Sequence, residues 1–390
     1  MSLSPPPVLP PSLPPVPPPV RVMIVEDSLV VRRLLAHIVS RDPRLMLVAA
    51  VDSAEEALRE LPCIRPDVIS MDIRLPGMDG LEATRRIMAE WPTPIVVIAD
   101  SIEDASLRIS MNALRAGALS VVEKPVGMES GGHERIAETI CTQLYIMSQV
   151  PVIRRRGPGV TRPAPRLPTA FAAAPSPLAP SPEAPAATAP FPEGPSPRVP
   201  AQRPAVLAIA ASTGGPPALA QVLGALPAAF PLPVLLVQHM GGAFMEGFAA
   251  WLDGLVPLPV RLAQEGELPM PGHVHVAPGD RHLLLTTQGR LRISAEKPLG
   301  SQRPSATLLF RSLAEACGPQ GLGVLLTGMG EDGAQGLAEL RQAGGFTITE
   351  HESTAVVYGM PAAAVRLGAS CLSLPLPMIG PRLAQMARGG

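Results

Sequence analysis

Apolar and polar positions divide the chain into two stretches of α/β pattern, each preceded by a Pro-rich segment. In the first, strand-like apolar runs fall at residues 21–25, 45–51, 68–71, 95–99 and 120–122. Runs with helical spacing separate and follow them at 29–39, 54–61, 81–90, 105–116 and 134–148. Strands alternating with helices in this way predict a doubly wound, five-stranded parallel sheet. The second stretch opens with a buried-strand run at 206–211, followed at once by Ser212-Thr-Gly-Gly-Pro-Pro217. A helix is expected from 218 to 226, with Pro217 just before its start, where a missing N–H costs little. Further strand runs at 234–237 and 324–327 predict a second doubly wound α/β domain.

Length and composition fit that division. At 390 residues the chain is too long for one typical core. Its 50 prolines concentrate in residues 1–20 and between Pro151 and Pro204. Neither segment has hydrophobic periodicity, so both read as disordered polyproline II stretches. The expected domains are therefore 21–150 and 205–385, with 1–20 as a tail and 151–204 as a linker. Arg154-Arg-Arg156 reads as solvated linker charge. A net charge of −1 and 3% aromatic residues give no footprint for nucleic acid. The four cysteines are isolated from one another, which indicates neither zinc nor disulfides and fits a reducing cytoplasm. No apolar run approaches a membrane span, and the uncharged N-terminus does not read as a signal peptide.

The chemistry lies at the strand ends. Ser212, His239 and Asp332 each follow a strand of the second sheet, where open α/β folds place their ligands. A Ser becomes a good nucleophile when an imidazole takes its proton and a carboxylate fixes the imidazole's tautomer. Ser212 with two turn glycines could also be a plain helix cap. Gly-x-Ser-x-Gly is absent, and the order Ser…His…Asp differs from that of the α/β-hydrolases. In the first sheet Glu26, Asp27 and Asp72 end strands 1 and 3, and Lys124 ends strand 5. Carboxylates meeting at one edge suit Mg²⁺, and an Asp beside Mg²⁺ and a Lys ammonium suits a phosphoryl acceptor.

Other residues read more plainly. His273 and His275 flank Val274, and without an acidic partner at suitable spacing they suggest surface or turn packing rather than a metal site. His282 is a candidate for ordering a loop near the site. His37 and His133 are ordinary helix or loop positions. Ser305 reads as a helix N-cap, Arg303 as a possible contact for a substrate carboxylate. Phe244 and Met245 begin a helix running to 255 and either fill the core or wall a groove.

Residues 21–149 resemble a response-regulator receiver domain through Val25-Glu-Asp-Ser28, Asp72, Leu75-Pro-Gly-Met-Asp-Gly80 and Glu123-Lys-Pro125. Together with Ala211-Ser-Thr-Gly-Gly-Pro216, Val237-Gln-His-Met240, Ala277-Pro-Gly-Asp-Arg-His282, Arg303-Pro-Ser305, Leu326-Thr-Gly-Met-Gly-Glu-Asp-Gly333 and Val357-Tyr-Gly-Met-Pro361, the chain resembles the chemotaxis protein-glutamate methylesterases. That resemblance implies a hydrolase acting on glutamyl γ-methyl esters, and deamidating glutamines, of chemoreceptors. It implies Ser212, His239 and Asp332 as catalytic triad, with backbone amides near Thr213 and Met329 as oxyanion donors. It also implies phosphorylation of Asp72 by a chemotaxis histidine kinase, with Mg²⁺ held by Glu26, Asp27 and Asp72, and Lys124 on the phosphoryl group. No cofactor is expected in the esterase, and no nucleic acid or membrane insertion. The unphosphorylated receiver would cover the esterase cleft. The alternative is a phosphorylation-dependent binding protein that uses the esterase fold as a docking surface.

Three departures from the family pattern stand out. Gly241-Gly242 replace a Pro-containing turn, and Gln302 and Thr307 stand where a His and an Asp are expected. Asp100 occupies the end of the fourth strand, where receivers carry Ser or Thr, with Ser101 one residue later.

Overall fold

A computed structural model describes residues 18–99, 112–114, 116–125, 130–150, 152, 200 and 202–388. Residues 1–17 of the expected tail, nearly all of the linker with Arg154-Arg-Arg156, most of the helix at 105–116, and Asp100 and Ser101 lie outside the described residues, as does the His133 side chain; Val20, the last residue of the expected tail, instead opens the first strand.

The first sheet has five parallel strands in the order β2-β1-β3-β4-β5. They are β1 (Val20–Val25), β2 (Leu45–Val51), β3 (Val68–Met71), β4 (Ile95–Ala99) and β5 (Ser120–Glu123). The strand order reverses between β1 and β3, which opens a crevice at their carboxyl ends. β3 and β4 are buried along their whole length, as expected when helices cover both faces of a parallel sheet. Four helices have their bounds among the described residues, Leu29–Arg41, Ala54–Ile64, Gly80–Glu90 and Ser130–Ser148, and residues 112–114 and 116 are helical as well.

The second sheet has seven strands, all paired in parallel, in the order β14-β13-β12-β6-β7-β9-β8. Its centre is β6 (Val206–Ala211), with β7 (Val234–Gln238) on one side and β12 (Gly321–Leu325) on the other. Beyond them lie β8 (Val260–Leu262), β9 (Val274–Val276), β13 (Phe346–Glu350) and β14 (Leu372–Leu374). An antiparallel hairpin, β10 (His282–Leu285) with β11 (Leu291–Ser294), stands apart from the sheet. Leu283, Leu285 and Leu291 of this hairpin share a core with Leu309, Phe310 and Leu313 of the helix Ala306–Cys317. Apolar pattern alone left the hairpin unread.

Two helix boundaries differ from expectation. The helix after β6 spans Gly215–Gly224, so Pro216 and Pro217 sit in its first turn rather than before it. Proline fits there because those amides have no intrahelical acceptor. After β7 a short 3₁₀ turn, Gly242–Phe244, precedes the helix Met245–Asp253, which ends at Gly254.

The two sheets are packed together through the helix Ser130–Ser148. Val356 and Val357, which follow β13, pack against the apolar cluster that contains Ile140, Leu144 and Met147 of that helix.

Candidate functional site

Strand register places the first two residues of the C-terminal site. Ala211 pairs with Gln238, and the His239 N–H donates to the Ala211 carbonyl at 3.0 Å. The next residues along β6 and β7, Ser212 and His239, therefore stand side by side. β12 pairs Leu325 with Ala210 on the other flank of β6, and the Ser212 N–H donates to the Thr327 carbonyl at 3.0 Å. The strand order reverses across β6, so all three strand ends meet at the switch point of the sheet.

The turn after β6 needs both its glycines. Gly214 has φ +76°, and a Cβ there would lie 2.6 Å from Cβ of Val356. At Gly215 a Cβ would come within 2.0 Å of Oε1 of Gln238. The space so left lets the Gln238 amide donate to the carbonyls of Ser212 and His239, both at 2.9 Å. One buried side chain thus ties the Ser212 turn to the His239 turn, a role that sequence reading missed.

Asp332 reaches the site from a longer loop, seven residues beyond the end of β12. Its Oδ2 lies 2.9 Å from Nε2 of His239. The same oxygen accepts the Ala306 N–H at 2.7 Å. Its Oδ1 accepts the Ser305 hydroxyl at 2.8 Å and the Thr307 N–H at 3.1 Å. Asp332 therefore sits on the N-terminus of the helix Ala306–Cys317, where free amides and the helix dipole favour an anion. Burial works to raise its carboxyl, but the hydrogen bond and charge of His239, Thr307 and the Ala306 N–H outweigh burial and hold it well below the usual carboxylate range. Ser305 is the expected N-cap, accepting from Leu308, and it also donates to Asp332. Thr307 accepts the Gly333 N–H at 2.8 Å, so it fastens the Asp332 loop.

With Nε2 turned to Asp332, the other ring nitrogen of His239, Nδ1, is buried and meets no protein partner among the described residues. The amides of Thr213 and Met329 likewise donate to no protein acceptor among the described residues. Ser212, Thr213, Gly214, His239 and Phe244 border a cavity of about 280 Å³ whose opposite wall includes Val121, Glu123 and Gln143. The Gln143 amide donates to the Thr213 hydroxyl at 2.9 Å across this boundary. Phe244 and Met245 are both buried in the core, and Phe244 also borders the cavity.

The N-terminal site forms at the reversal between β1 and β3. One carboxylate oxygen from each of Glu26, Asp27 and Asp72 lies within 4.8 Å of the others. Arg32 holds the turn after β1 by donating to the carbonyls of Glu26 and Asp27, at 2.6 and 3.0 Å. Lys124, reaching in from the end of β5, places Nζ 2.9 Å from both Glu26 Oε2 and Asp72 Oδ2. Burial, and then the charge of Asp72, push the Glu26 carboxyl up to about 7 against the opposing effect of Lys124. Burial also raises Asp72, again opposed by Lys124. Gly80 passes so close to the Asp72 carbonyl that a Cβ would lie 2.0 Å from that oxygen.

Three further sequence readings meet the structure. His275 is fully buried rather than at the surface, and it does have an acidic partner. Its Nδ1 lies 2.9 Å from Oε1 of Glu267, which a turn brings back from eight residues away. Arg303 donates to the Glu296 carbonyl at 3.4 Å, within its own loop. Gln302 lies beside Met329 and Asp332 on a second cavity, of about 670 Å³. No helix among the described residues is long and apolar enough to cross a membrane.

Comparison with known proteins gives consistent matches. The family described as CheB methylesterase matches residues 207–383, and the response regulator receiver domain family matches residues 22–133. A protein-glutamate methylesterase/protein-glutamine glutaminase of Paramagnetospirillum magneticum is 50% identical over 371 residues, covering 95% of this chain and 98% of the relative. One from Myxococcus xanthus is 44% identical over 369 residues, with 95% and 97% covered. The crystal structure of the Thermotoga maritima CheB methylesterase catalytic domain is 35% identical, covers 47% of this chain and 98% of that chain, and gives a TM-score of 0.46.

Proposed function

The chain belongs to the protein-glutamate methylesterase/protein-glutamine glutaminase family, which joins a receiver to an esterase, and we propose that its hydrolysis runs on Ser212, His239 and Asp332. The substrates are γ-methyl esters of glutamyl side chains, and glutamine amides, on chemoreceptors. The observation that carries this reading is the pairing of His239 Nε2 with Asp332 Oδ2 at 2.9 Å, which leaves Nδ1 beside the Ser212 turn without a protein partner among the described residues.

The steps follow from that orientation. An ionised carboxylate only accepts, so Nε2 carries the ring proton and Nδ1 holds the lone pair. Nδ1 takes the Ser212 hydroxyl proton as Oγ attacks the ester carbonyl. The Thr213 and Met329 amides donate to the oxyanion that forms, a contribution of about 10²–10³-fold per donor. Collapse of the tetrahedral intermediate expels methoxide, which leaves as methanol with the proton from Nδ1. Water, deprotonated by Nδ1, then releases the glutamate carboxylate and restores Ser212. With glutamine the leaving group is ammonia and the rest is unchanged.

Regulation belongs to the receiver, which we take as residues 21–150, with the esterase at 205–385. Asp72 accepts the phosphoryl group from a chemotaxis histidine kinase. Glu26, Asp27 and Asp72 would hold Mg²⁺, since three clustered carboxylates supply the all-oxygen donor set that this hard cation prefers. Bound Mg²⁺ neutralises phosphoryl charge, and Lys124 contributes its own charge to the same end. Gln143 on Thr213 and the packing around Val356 support a receiver that covers the nucleophile turn at rest. A receptor substrate and a kinase phosphodonor would put its work in the cytoplasm.

The test is methanol release from methylated receptor. Ser212→Ala should abolish it while Asp72 still accepts phosphate, because the two chemistries occupy separate sheets. Near-normal release in Ser212→Ala would overturn the assignment.

A further inference from the structure

A further buried imidazole, that of His282, bonds the cap residue that holds Asp332. His282 opens β10 and is fully buried. Its Nε2 lies 3.2 Å from the Lys297 carbonyl oxygen, which can only accept. Its Nδ1 accepts the Ser305 N–H at 3.1 Å. The two partners admit a single neutral tautomer, with the proton on Nε2.

That arrangement completes a helix cap in an uncommon way. In a capping box the N3 residue is Glu or Gln and accepts the backbone N–H of the N-cap residue. Here the N-cap is Ser305 and the N3 residue is Leu308, which has no acceptor. His282 supplies that acceptor from a different element. Pro304 precedes Ser305 and has no N–H, so Ser305 carries the first backbone donor at this helix start. Among the described residues four donors surround Asp332: the Ser305 hydroxyl, the two amides after it, and His239.

We propose that His282 is a positioning residue for hydrolysis: by accepting the Ser305 N–H it fixes the cap whose hydroxyl and amides aim Asp332 at His239. The proposal rests on the triad reading above. It concerns orientation and not helix formation, because β10 and the helix Ala306–Cys317 are also held by Leu283, Leu285, Phe310 and Leu313.

A pair of amide substitutions in the full-length chain separates the two bonds. His282→Asn places its side-chain oxygen where Nδ1 was and keeps an acceptor for Ser305. His282→Gln reaches towards Lys297 instead and leaves Ser305 unpaired. Methanol release is measured from methylated receptor, with acetyl phosphate as phosphodonor, beside thermal unfolding and the ¹H–¹⁵N signal of the His239 ring. His282→Gln should lower kcat by about tenfold with KM within about twofold, and shift the His239 signal. His282→Asn should recover most of kcat and the wild-type signal. Wild-type kcat in His282→Gln, a change confined to KM, or an Asn variant no better than Gln at equal melting temperature would overturn the proposal. Ser212→Ala runs in parallel: if it still releases methanol the triad reading fails, whereas a dead Ser212→Ala beside a fully active His282→Gln removes His282 alone.

Discussion

Replacing Asp332 by Asn changes no heavy-atom count yet should weaken the fold in either amide orientation and, where its NH₂ faces His239, disable the catalytic base. Each carboxylate oxygen takes two donors: Ser305 Oγ and Thr307 N on Oδ1, Ala306 N and His239 Nε2 on Oδ2. An amide offers one oxygen and one NH₂. If the NH₂ takes the place of Oδ2, the Ala306 N–H faces another donor. His239 must then accept through Nε2, which moves its proton to Nδ1 and removes the base. If the NH₂ takes the place of Oδ1, the Ser305 hydroxyl can turn to accept, but the Thr307 N–H loses its partner. A hydrogen bond to a charged group contributes about 1.5–3 kcal/mol, so loss of one or two in either orientation should lower stability by about 2–4 kcal/mol. Where the tautomer is wrong, kcat should fall by about 10⁴-fold. The pH dependence follows the same carboxylate. Its depressed pKa stabilises the fold above the ordinary Asp value of about 3.9 and loses that contribution as pH falls below it. Asn should therefore flatten the acid side of the stability curve. The assays are methanol release, urea denaturation at pH 7 and pH 3–5, and ¹⁵N assignment of the His239 tautomer. A variant with kcat within about tenfold of wild type and an unchanged acid limb would refute this account.

Gln143→Ala removes one neutral hydrogen bond between receiver and esterase, worth about 0.5–1.5 kcal/mol, so basal methanol release without phosphodonor should rise about two- to tenfold; no rise would mean that this contact does not hold the closed form. Deleting residues 1–204 should raise activity further, but by less than in a relative with a short linker, because a long Pro-rich connection lowers the effective concentration of the receiver; rates with and without phosphodonor measure this. Burial raises the Glu350 carboxyl above its usual range, with the Thr327 N–H and Thr354 opposing. The folded chain then keeps a proton that the unfolded chain gives up, so stability is lost as pH rises above about 4.3. Glu350→Gln should melt higher than wild type at pH 8 and equally at pH 4, read from thermal scans. Asp72→Ala should leave basal release intact and abolish its stimulation by acetyl phosphate.

The strands were legible because a parallel sheet covered on both faces demands unbroken apolar runs, and such runs stand out at 206–211, 234–237 and 95–99. Ser212 and His239 directly follow β6 and β7, so chain order alone put them on one edge. Glu26 and Asp72 were visible for the same reason, after β1 and β3. The helix boundary at Gly215 was less legible, since proline is compatible both with a position before a helix and with its first turn.

What local pattern could not supply was choice of partner. Asp332 is held by Ser305, Ala306 and Thr307, more than twenty residues upstream, and Thr213 meets Gln143, seventy residues away. Glu267 finds His275 only because a turn brings it back, and His282 finds Ser305 only because a short hairpin packs on a helix. Apolar periodicity records which faces are buried. It carries no information on which buried donor meets which acceptor, because that depends on distances and directions of a few ångströms that packing alone sets.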